Sequence, residues 1–312
     1  MDETEHRPTW KTLSAFAIIY LVWGSTFLAI RIGVLAMPPL LFAAMRFLVA
    51  GAALFGWMVA RGEPLPKGRQ WLSASLLALM IFVIDYGLLF WAEQRVPSGI
   101  AAVIMATIPA FIALSEILLL KTQRLTVSLG AALLVGIGGV AILMSHGLNL
   151  GGAPVDKAGA AAIIIASLSW SIASVISRRL DLPHSKGMSA GTQMLLGGIF
   201  LSFAAFVSGE VHGFQLGNVS ITAWLSLVYL IVFGSLLGFT CYVWLIHHES
   251  PTKVGTYAYV NPVVAVLIGY FFGGESLDLR TILGTALILA SVVVITTAPA
   301  KKPVPILAAE EG

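Results

Sequence analysis

The clearest pattern along the chain is a series of long, continuous apolar runs, separated by short connections that carry charges, glycine or proline. A helix needs about 20 mainly apolar residues to cross the hydrocarbon core of a bilayer, whereas membrane barrel strands are shorter and alternate. The pattern therefore predicts an all-α membrane protein with ten transmembrane helices. We place these spans near residues 12–31, 38–60, 70–92, 98–119, 125–144, 158–178, 189–208, 220–243, 251–272 and 279–298.

Composition points to the same environment. Of the 312 residues, 58% are hydrophobic and 11% are charged, against roughly 45–50% and about 25% in soluble domains. So few charges cannot cover a water-exposed surface of this size, and lipid must be the main solvent. We expect a multi-pass protein of the cell inner (cytoplasmic) membrane. Its basic residues form no continuous face, which argues against a nucleic-acid partner.

The orientation follows from the distribution of basic residues. Thirteen of the 18 lysine and arginine residues fall in connections on one side of the predicted membrane, four fall on the other side, and Arg46 lies within a span. Basic residues are retained on the cytoplasmic side. With an even number of spans, this bias predicts that both termini are cytoplasmic.

The two halves of the chain resemble each other at nearly constant offsets. Trp23 precedes Trp170 by 147 residues, and Pro109 precedes Pro262 by 153 residues. Each half holds five spans, an odd number, so the second half begins on the opposite side of the membrane. The sequence thus predicts inverted repeats, residues 1–147 and 148–312, the second ending in a short cytoplasmic tail. The other matched pairs are Arg31/Arg178, Gly51/Gly198, Trp71/Trp224, Trp91/Trp244, Gly130/Gly284 and Leu133/Leu287.

Inverted repeats are common in secondary transporters, which bind their solute near the midplane between the repeats. Trp23 and Trp170 are both mid-span, where an indole N–H lacks a partner in lipid, so we predict that they line a shared cavity. Ser174 shares a helical face with Trp170, and Tyr257 shares one with Asn261. The alternative interpretation is tight helix packing, with serine as a small contact residue.

Two prolines lie mid-span, Pro109 and Pro262. Each removes a backbone donor and frees a carbonyl, which is tolerated only where protein or water satisfies the backbone. We therefore expect both prolines to face the interior as helix breaks that contribute to gating.

Three ionisable residues fall inside spans, where charge is expensive and commonly functional. Asp85, beside Tyr86, is the candidate carboxylate for binding a proton or contacting a cationic group. Proton-coupled transport and uniport both stay open. Arg46 is a functional candidate as an intramembrane charge, and the alternative is a structural ion pair or carbonyl clamp that locks the helices. Glu116 lies about one turn from the predicted interface and is interpreted as a snorkelling or surface charge, with a functional role left open.

Several functions find no support in the residues. The single cysteine, Cys241, allows no disulfide and no cysteine-based metal site, and no cofactor is expected. No P-loop, H-E-x-x-H or G-x-S-x-G motif occurs, so neither a built-in ATPase nor a familiar hydrolase is indicated. The alternatives to a carrier are a passive channel and an intramembrane enzyme.

These features resemble the drug/metabolite transporter superfamily, specifically its EamA-type branch, over residues 12–298. The first half carries L-V-W-G-S-T-F at Leu21–Phe27 and the proline-to-arginine pattern ending at Arg46. The second carries Y-V-N-P-V-V-A-V-L at Tyr259–Leu267, G-E-S-L at Gly274–Leu277 and G-T-A-L-I-L-A at Gly284–Ala290.

The resemblance implies a ten-helix carrier of small metabolites that works by alternating access. Export of amino acids, aromatic ones included, or of drug-like compounds is the expected activity. The expected partners are a small-molecule substrate and the lipid bilayer.

Overall fold

A computed structural model of the protein describes residues 9–96, 101, 104–144, 156–212, 214–273 and 279–297. Within these ranges all regular structure is helical. The boundary predicted between residues 147 and 148, the motif Gly274–Leu277 and the C-terminal tail lie outside the described residues. The helices are α1 (Thr9–Ala36), α2 (Pro39–Ala60), α3 (Gly68–Glu93), α4 (Ile108–Leu120), α5 (Val127–Met144), α6 (Lys157–Ile176), α7 (Lys186–Val207), α8 (Ile221–His248), α9 (Tyr257–Gly273, after the short helix Pro251–Gly255) and α10 (Leu279–Thr297).

Helices α1, α2, α3, α6, α7 and α8 are each long and apolar enough to cross a membrane. Shorter apolar helical stretches occur in α4, α5 and α10. The predicted spans 38–60 and 158–178 agree with α2 and α6 to within two residues. Large apolar side chains such as Leu28 and Phe203 are about two-thirds exposed, which suits contact with lipid. The predicted membrane fold is confirmed at this level.

Helices α2 and α7 pack against each other in antiparallel orientation with very close backbones. A Cβ atom added at Gly51 would lie 2.2 Å from the backbone N of Leu195, and one added at Gly198 would lie 2.4 Å from the backbone N of Leu48. Small residues permit this approach between membrane helices. The two contacts exchange under a shift of 147 residues, so the interface has the reciprocal pattern of a two-fold arrangement.

The ends of α2 and α7 also correspond. Both helices contain 22 residues, and each is followed by a turn that includes a glycine with positive φ, Gly62 at 79° and Gly209 at 80°. A left-handed residue after a helix satisfies its last carbonyl groups, and glycine adopts this conformation without strain. The two glycines are 147 residues apart, the offset that relates Trp23 to Trp170.

Helices α3 and α8 each contain a π-helical stretch, Leu79–Tyr86 in α3 and Leu230–Phe239 in α8. In π-helical geometry each hydrogen bond reaches one residue further than in an α-helix, and such stretches are frequent at functional sites. The two stretches end at Tyr86 and Phe239, which are 153 residues apart. The sequence pattern did not predict them.

The two prolines differ in their surroundings. Pro109 lies in the first turn of α4, directly after a turn at Ala106–Thr107, so it removes no hydrogen bond from the helix interior. Residues 101, 104 and 105, before this turn, are also helical, so the predicted span is interrupted directly before Pro109. Its contribution to gating stays a prediction. Pro262 does lie inside α9, where it removes one intrahelical bond.

Candidate functional site

Six helices surround one internal cavity, which we call the charged cavity. Its empty space, including the part that is open to solvent, is about 440 Å³. Six of the seven residues predicted to bind substrate line it, and Arg46 lines it as well. The lining residues are Trp23, Thr26, Phe27, Ile30, Arg46, Asp85, Tyr86, Leu89, Met105, Ile108, Trp170, Tyr257 and Asn261.

Four aromatic rings from four different helices pack together at this cavity, and three of them line it. We call them the aromatic cluster: Trp23 of α1, Trp170 of α6, Tyr242 of α8 and Tyr257 of α9. Every pair of these rings is in contact, with centroid separations from 4.8 Å to 6.4 Å. Trp23 meets Trp170 edge to face at 5.6 Å, an arrangement that the ring quadrupoles favour.

The position of the Trp23 ring is fixed by the π-helical part of α8. Its Nε1 donates a hydrogen bond to the backbone O of Gly234 at 3.1 Å. A Cβ atom added at Gly238 would lie 2.5 Å from the same Nε1. The indole is therefore held where only glycine on α8 leaves room for it.

Arg46 is buried, with 1% of its surface exposed. Its Nε donates to Ser235 Oγ at 2.9 Å, and its guanidinium carbon lies 4.6 Å from the centroid of the Phe47 ring and 5.1 Å from that of Tyr86. Contact with the ring faces partly compensates a guanidinium that has left water. No ion pair joins Arg46 to Asp85 within the described part of the chain.

Several buried polar atoms of the cavity have no protein partner among the described residues. They are Arg46 Nη1, Asp85 Oδ1, Trp170 Nε1 and Asn261 Oδ1. A buried polar group without a hydrogen bond costs about 1–3 kcal/mol, so such atoms need an explanation such as a ligand or water. Here four of them belong to residues that line one cavity.

Ser174 lies elsewhere than predicted. Its hydroxyl is hydrogen bonded to the hydroxyl of Tyr242 and donates to the backbone O of Trp170 at 2.6 Å. It does not line the charged cavity, and together with Tyr242 it lines a second pocket. Sequence reasoning missed Tyr242. The only signal was a tyrosine at the end of a predicted span, five residues before His247, and it was not distinctive.

Glu116 is buried rather than near the surface, with 2% of its surface exposed. One carboxylate oxygen accepts from the backbone N of Thr252 at 3.1 Å and from its hydroxyl at 2.7 Å, and the other accepts from Thr122 Oγ1 at 2.9 Å. The interpretation as a snorkelling charge was therefore wrong, because donors from the start of the α9 region satisfy the carboxylate. Glu116 lies outside the charged cavity.

A bundle of apolar helices around a buried cavity with charged and aromatic walls is the architecture of a membrane transporter. The model of the EamA-like transporter family matches residues 10–145 and again residues 157–297. The chain belongs to this family, and the resemblance stated from its motifs is confirmed.

Individual relatives agree with this assignment. The chain is 40% identical over 285 residues to an uncharacterised inner membrane transporter, YedA, of Escherichia coli (strain K12), which covers 90% of this chain and 89% of YedA. It is 28% identical over 276 residues to protein PecM of Dickeya dadantii, 88% of both chains. It is 25% identical to an uncharacterised transporter of Archaeoglobus fulgidus, over 92% of this chain and 97% of that protein.

A solved crystal structure has the same fold. It superposes with a TM-score of 0.74 at 23% identity and covers 93% of this chain and 99% of the other. Together these findings make the protein a multi-pass inner membrane protein and a transporter by family.

Proposed function

We propose that this protein is a secondary carrier that exports amino acids, or small organic metabolites of similar chemistry, by alternating access. The observation that carries the proposal is the charged cavity, which combines a guanidinium, a carboxyl group and aromatic walls in one space. Small-molecule sites typically join apolar walls with a few placed polar groups in this way.

An amino acid matches the groups that this cavity leaves unpaired. Arg46 supplies N–H donors for a carboxylate, and Asp85 and Asn261 supply oxygen acceptors for an ammonium group. Hydrogen bonds to charged groups contribute about 1.5–3 kcal/mol each. The aromatic cluster then forms an apolar wall for the side chain of the solute, which favours aromatic amino acids.

We propose further that ten spans form two inverted repeats, residues 1–147 and 148–312, with both termini cytoplasmic. The two successive matches of the family model support the division. The reciprocal glycine contacts between α2 and α7, and the correspondence of Gly62 with Gly209, support the repeat. The excess of basic residues on one side supports the orientation.

The energy for transport must come from a gradient, since the chain carries no P-loop. We propose Asp85 as the group through which a proton gradient acts, because it is buried in the cavity and one of its oxygens is unpaired. A passive channel is the competing function. The aromatic cluster argues against it, since four rings in mutual contact fill the space beneath the charged cavity where a pore would continue.

The proposed function is tested by counterflow of radiolabelled L-phenylalanine in proteoliposomes that contain the purified protein. Trp170→Ala removes one wall of the cavity, where ring contacts contribute about 0.5–1.5 kcal/mol beyond burial. We expect the half-saturation concentration to rise roughly tenfold, since a decade corresponds to about 1.4 kcal/mol.

Trp57→Ala is the matched control, because Trp57 is 58% exposed toward lipid and lies outside the cavity. It should transport like the original protein. If the original protein shows no saturable counterflow with any aromatic amino acid, the carrier proposal for this solute class fails. If Trp170→Ala remains folded and saturates like Trp57→Ala, the cavity is not the binding site.

A further inference from the structure

A second, smaller pocket lies on the opposite side of the aromatic cluster. We call it the neutral pocket. Its empty space, including any part open to solvent, is about 220 Å³, and it is lined by residues of α3, α6, α7 and α8. None of the residues that line it is an acid, a lysine or an arginine. The lining residues are Ile81, Ala173, Ser174, Ser177, Gln193, Tyr242, Val243, Ile246 and His247.

Five of the nine lining residues of the neutral pocket correspond to lining residues of the charged cavity. For these residues, adding 147 to a residue number in α1 or α2, or 153 to one in α3, gives the corresponding residue of the neutral pocket. Both offsets were obtained independently of the pockets, from the tryptophan and proline pairs and from the helix ends. The corresponding pairs are Thr26/Ala173, Phe27/Ser174, Ile30/Ser177, Arg46/Gln193 and Leu89/Tyr242.

The aromatic cluster separates the two spaces. Trp23, Trp170 and Tyr257 line the charged cavity, whereas Tyr242 lines the neutral pocket. Trp23 and Trp170 are themselves a corresponding pair and touch each other. Gly51 and Gly198 are a second such pair, and they make reciprocal contacts with Leu195 and Leu48. The local two-fold relation between the repeats therefore passes through the cluster and relates one pocket to the other.

We propose that the neutral pocket is a second solute-binding subsite, on the cytoplasmic side, and that it opens when the charged cavity closes. This inference rests on the proposed carrier function and on the proposed orientation of the protein in the membrane. When the two repeats exchange conformations, corresponding residues also exchange their surroundings. The neutral pocket then widens and opens, while the charged cavity narrows and closes.

The two subsites differ in the chemistry that they offer. Gln193 occupies the position that corresponds to Arg46, and its Nε2 donates to Ser189 Oγ at 3.0 Å. The remaining polar groups are hydroxyls and an imidazole. A solute in the neutral pocket is therefore bound through uncharged donors and acceptors. Such bonds are roughly half as strong as charge-assisted ones, so the cytoplasmic subsite binds the same small organic solute more weakly.

Thiol accessibility tests this without knowledge of the solute. Ile30 and Ser177 are a corresponding pair, one from each pocket, and each is replaced by cysteine in a Cys241→Ala background. An impermeant methanethiosulfonate reagent is applied to right-side-out and inside-out membrane vesicles. We expect Ile30→Cys to react only from the outside and Ser177→Cys only from the cytoplasmic side.

Ser226→Cys is the matched control, since Ser226 and Ser177 are both 6% exposed and Ser226 lines neither pocket. It should resist the reagent from both sides, while a permeant reagent after denaturation should label all three thiols. Failure of Ser177→Cys to react from the cytoplasmic side, or its reaction from the outside, overturns the proposal. Equal reaction of Ser226→Cys and Ser177→Cys also overturns the proposal, because labelling would then report a general opening of the helix bundle and not the opening of this pocket.

A second measurement concerns binding. Gln193→Leu preserves the approximate side-chain size but removes the amide. We expect a roughly tenfold higher half-saturation for L-phenylalanine presented at the cytoplasmic face, and less than a twofold change at the outer face. Equal changes at both faces contradict the subsite. Absence of L-phenylalanine transport in the original protein contradicts the proposed solute instead, and the thiol result still decides whether the pocket opens.

Discussion

The close contact between α2 and α7 makes a quantitative prediction for the substitution Gly51→Ala. The new Cβ would lie 2.2 Å from the N and 2.5 Å from the Cα of Leu195, and 2.6 Å from the carbonyl C of Met194. These are backbone atoms of a helix, which cannot move away by a change of rotamer. The helices must therefore separate by about 1 Å to reach an ordinary contact of about 3.5 Å.

Inserting a methyl group into a packed interface costs about 1–3 kcal/mol. Replacing glycine by alanine inside a helix returns about 1 kcal/mol through helix propensity. Gly56 is the matched control on the same helix, since a Cβ added there meets nothing within 4 Å. The free energy of unfolding of Gly51→Ala should therefore fall about 1–3 kcal/mol below that of Gly56→Ala.

Thermal unfolding in detergent, followed by size-exclusion chromatography with fluorescence detection, measures the difference. Gly198→Ala should lose a similar amount, because its Cβ would lie 2.4 Å from the backbone N of Leu48. Equal midpoints for Gly51→Ala and Gly56→Ala would refute the close approach of the two helices. A large loss in only one of Gly51→Ala and Gly198→Ala would refute the reciprocal geometry.

Three further predictions concern topology, coupling and a buried carboxylate. In a Cys241→Ala background, Leu216→Cys should react with an impermeant thiol reagent on intact cells and Leu65→Cys should not; the reverse pattern would invert the orientation. Asp85→Asn should abolish the pH dependence of transport and leave counterflow intact, and a pH-independent original protein would remove proton coupling. Glu116→Leu, which leaves buried donors unpaired, should lower the free energy of unfolding by about 2–3 kcal/mol, and more than Glu116→Gln does; equal thermal midpoints for the two variants would contradict this role.

The helices and several cavity residues could be predicted because lipid enforces simple rules. A span must be apolar over about 20 residues, which places α2 and α6 closely. Inside a span, a charged side chain such as Arg46 or Asp85 must turn toward the interior. The depth of these residues in the predicted spans and the periodicity of the helices therefore predict that they share one interior region. Neither property establishes what that region binds.

The remaining features depend on contacts that a sequence pattern does not contain. Glu116 is satisfied by Thr252, 136 residues away, and no local signal announces this bond. Ser174 shares a helical face with Trp170, as predicted, yet the Tyr242 ring of another helix covers it. Tyr242 itself comes after the π-helical stretch of α8, where a face assigned from 3.6 residues per turn no longer applies.

The π-helical stretch of α3 gives this helix a way to turn without moving its ends. Asp85 and Tyr86 are its last two residues, so both depend on how many residues precede them in wider geometry. A shift of the wider turn along α3 by one residue would change the helical register of the residue that it passes by one position, about 100° in a 3.6-residue turn. The direction of the Asp85 carboxyl group and of the Tyr86 ring therefore depends on where the π-helical stretch ends.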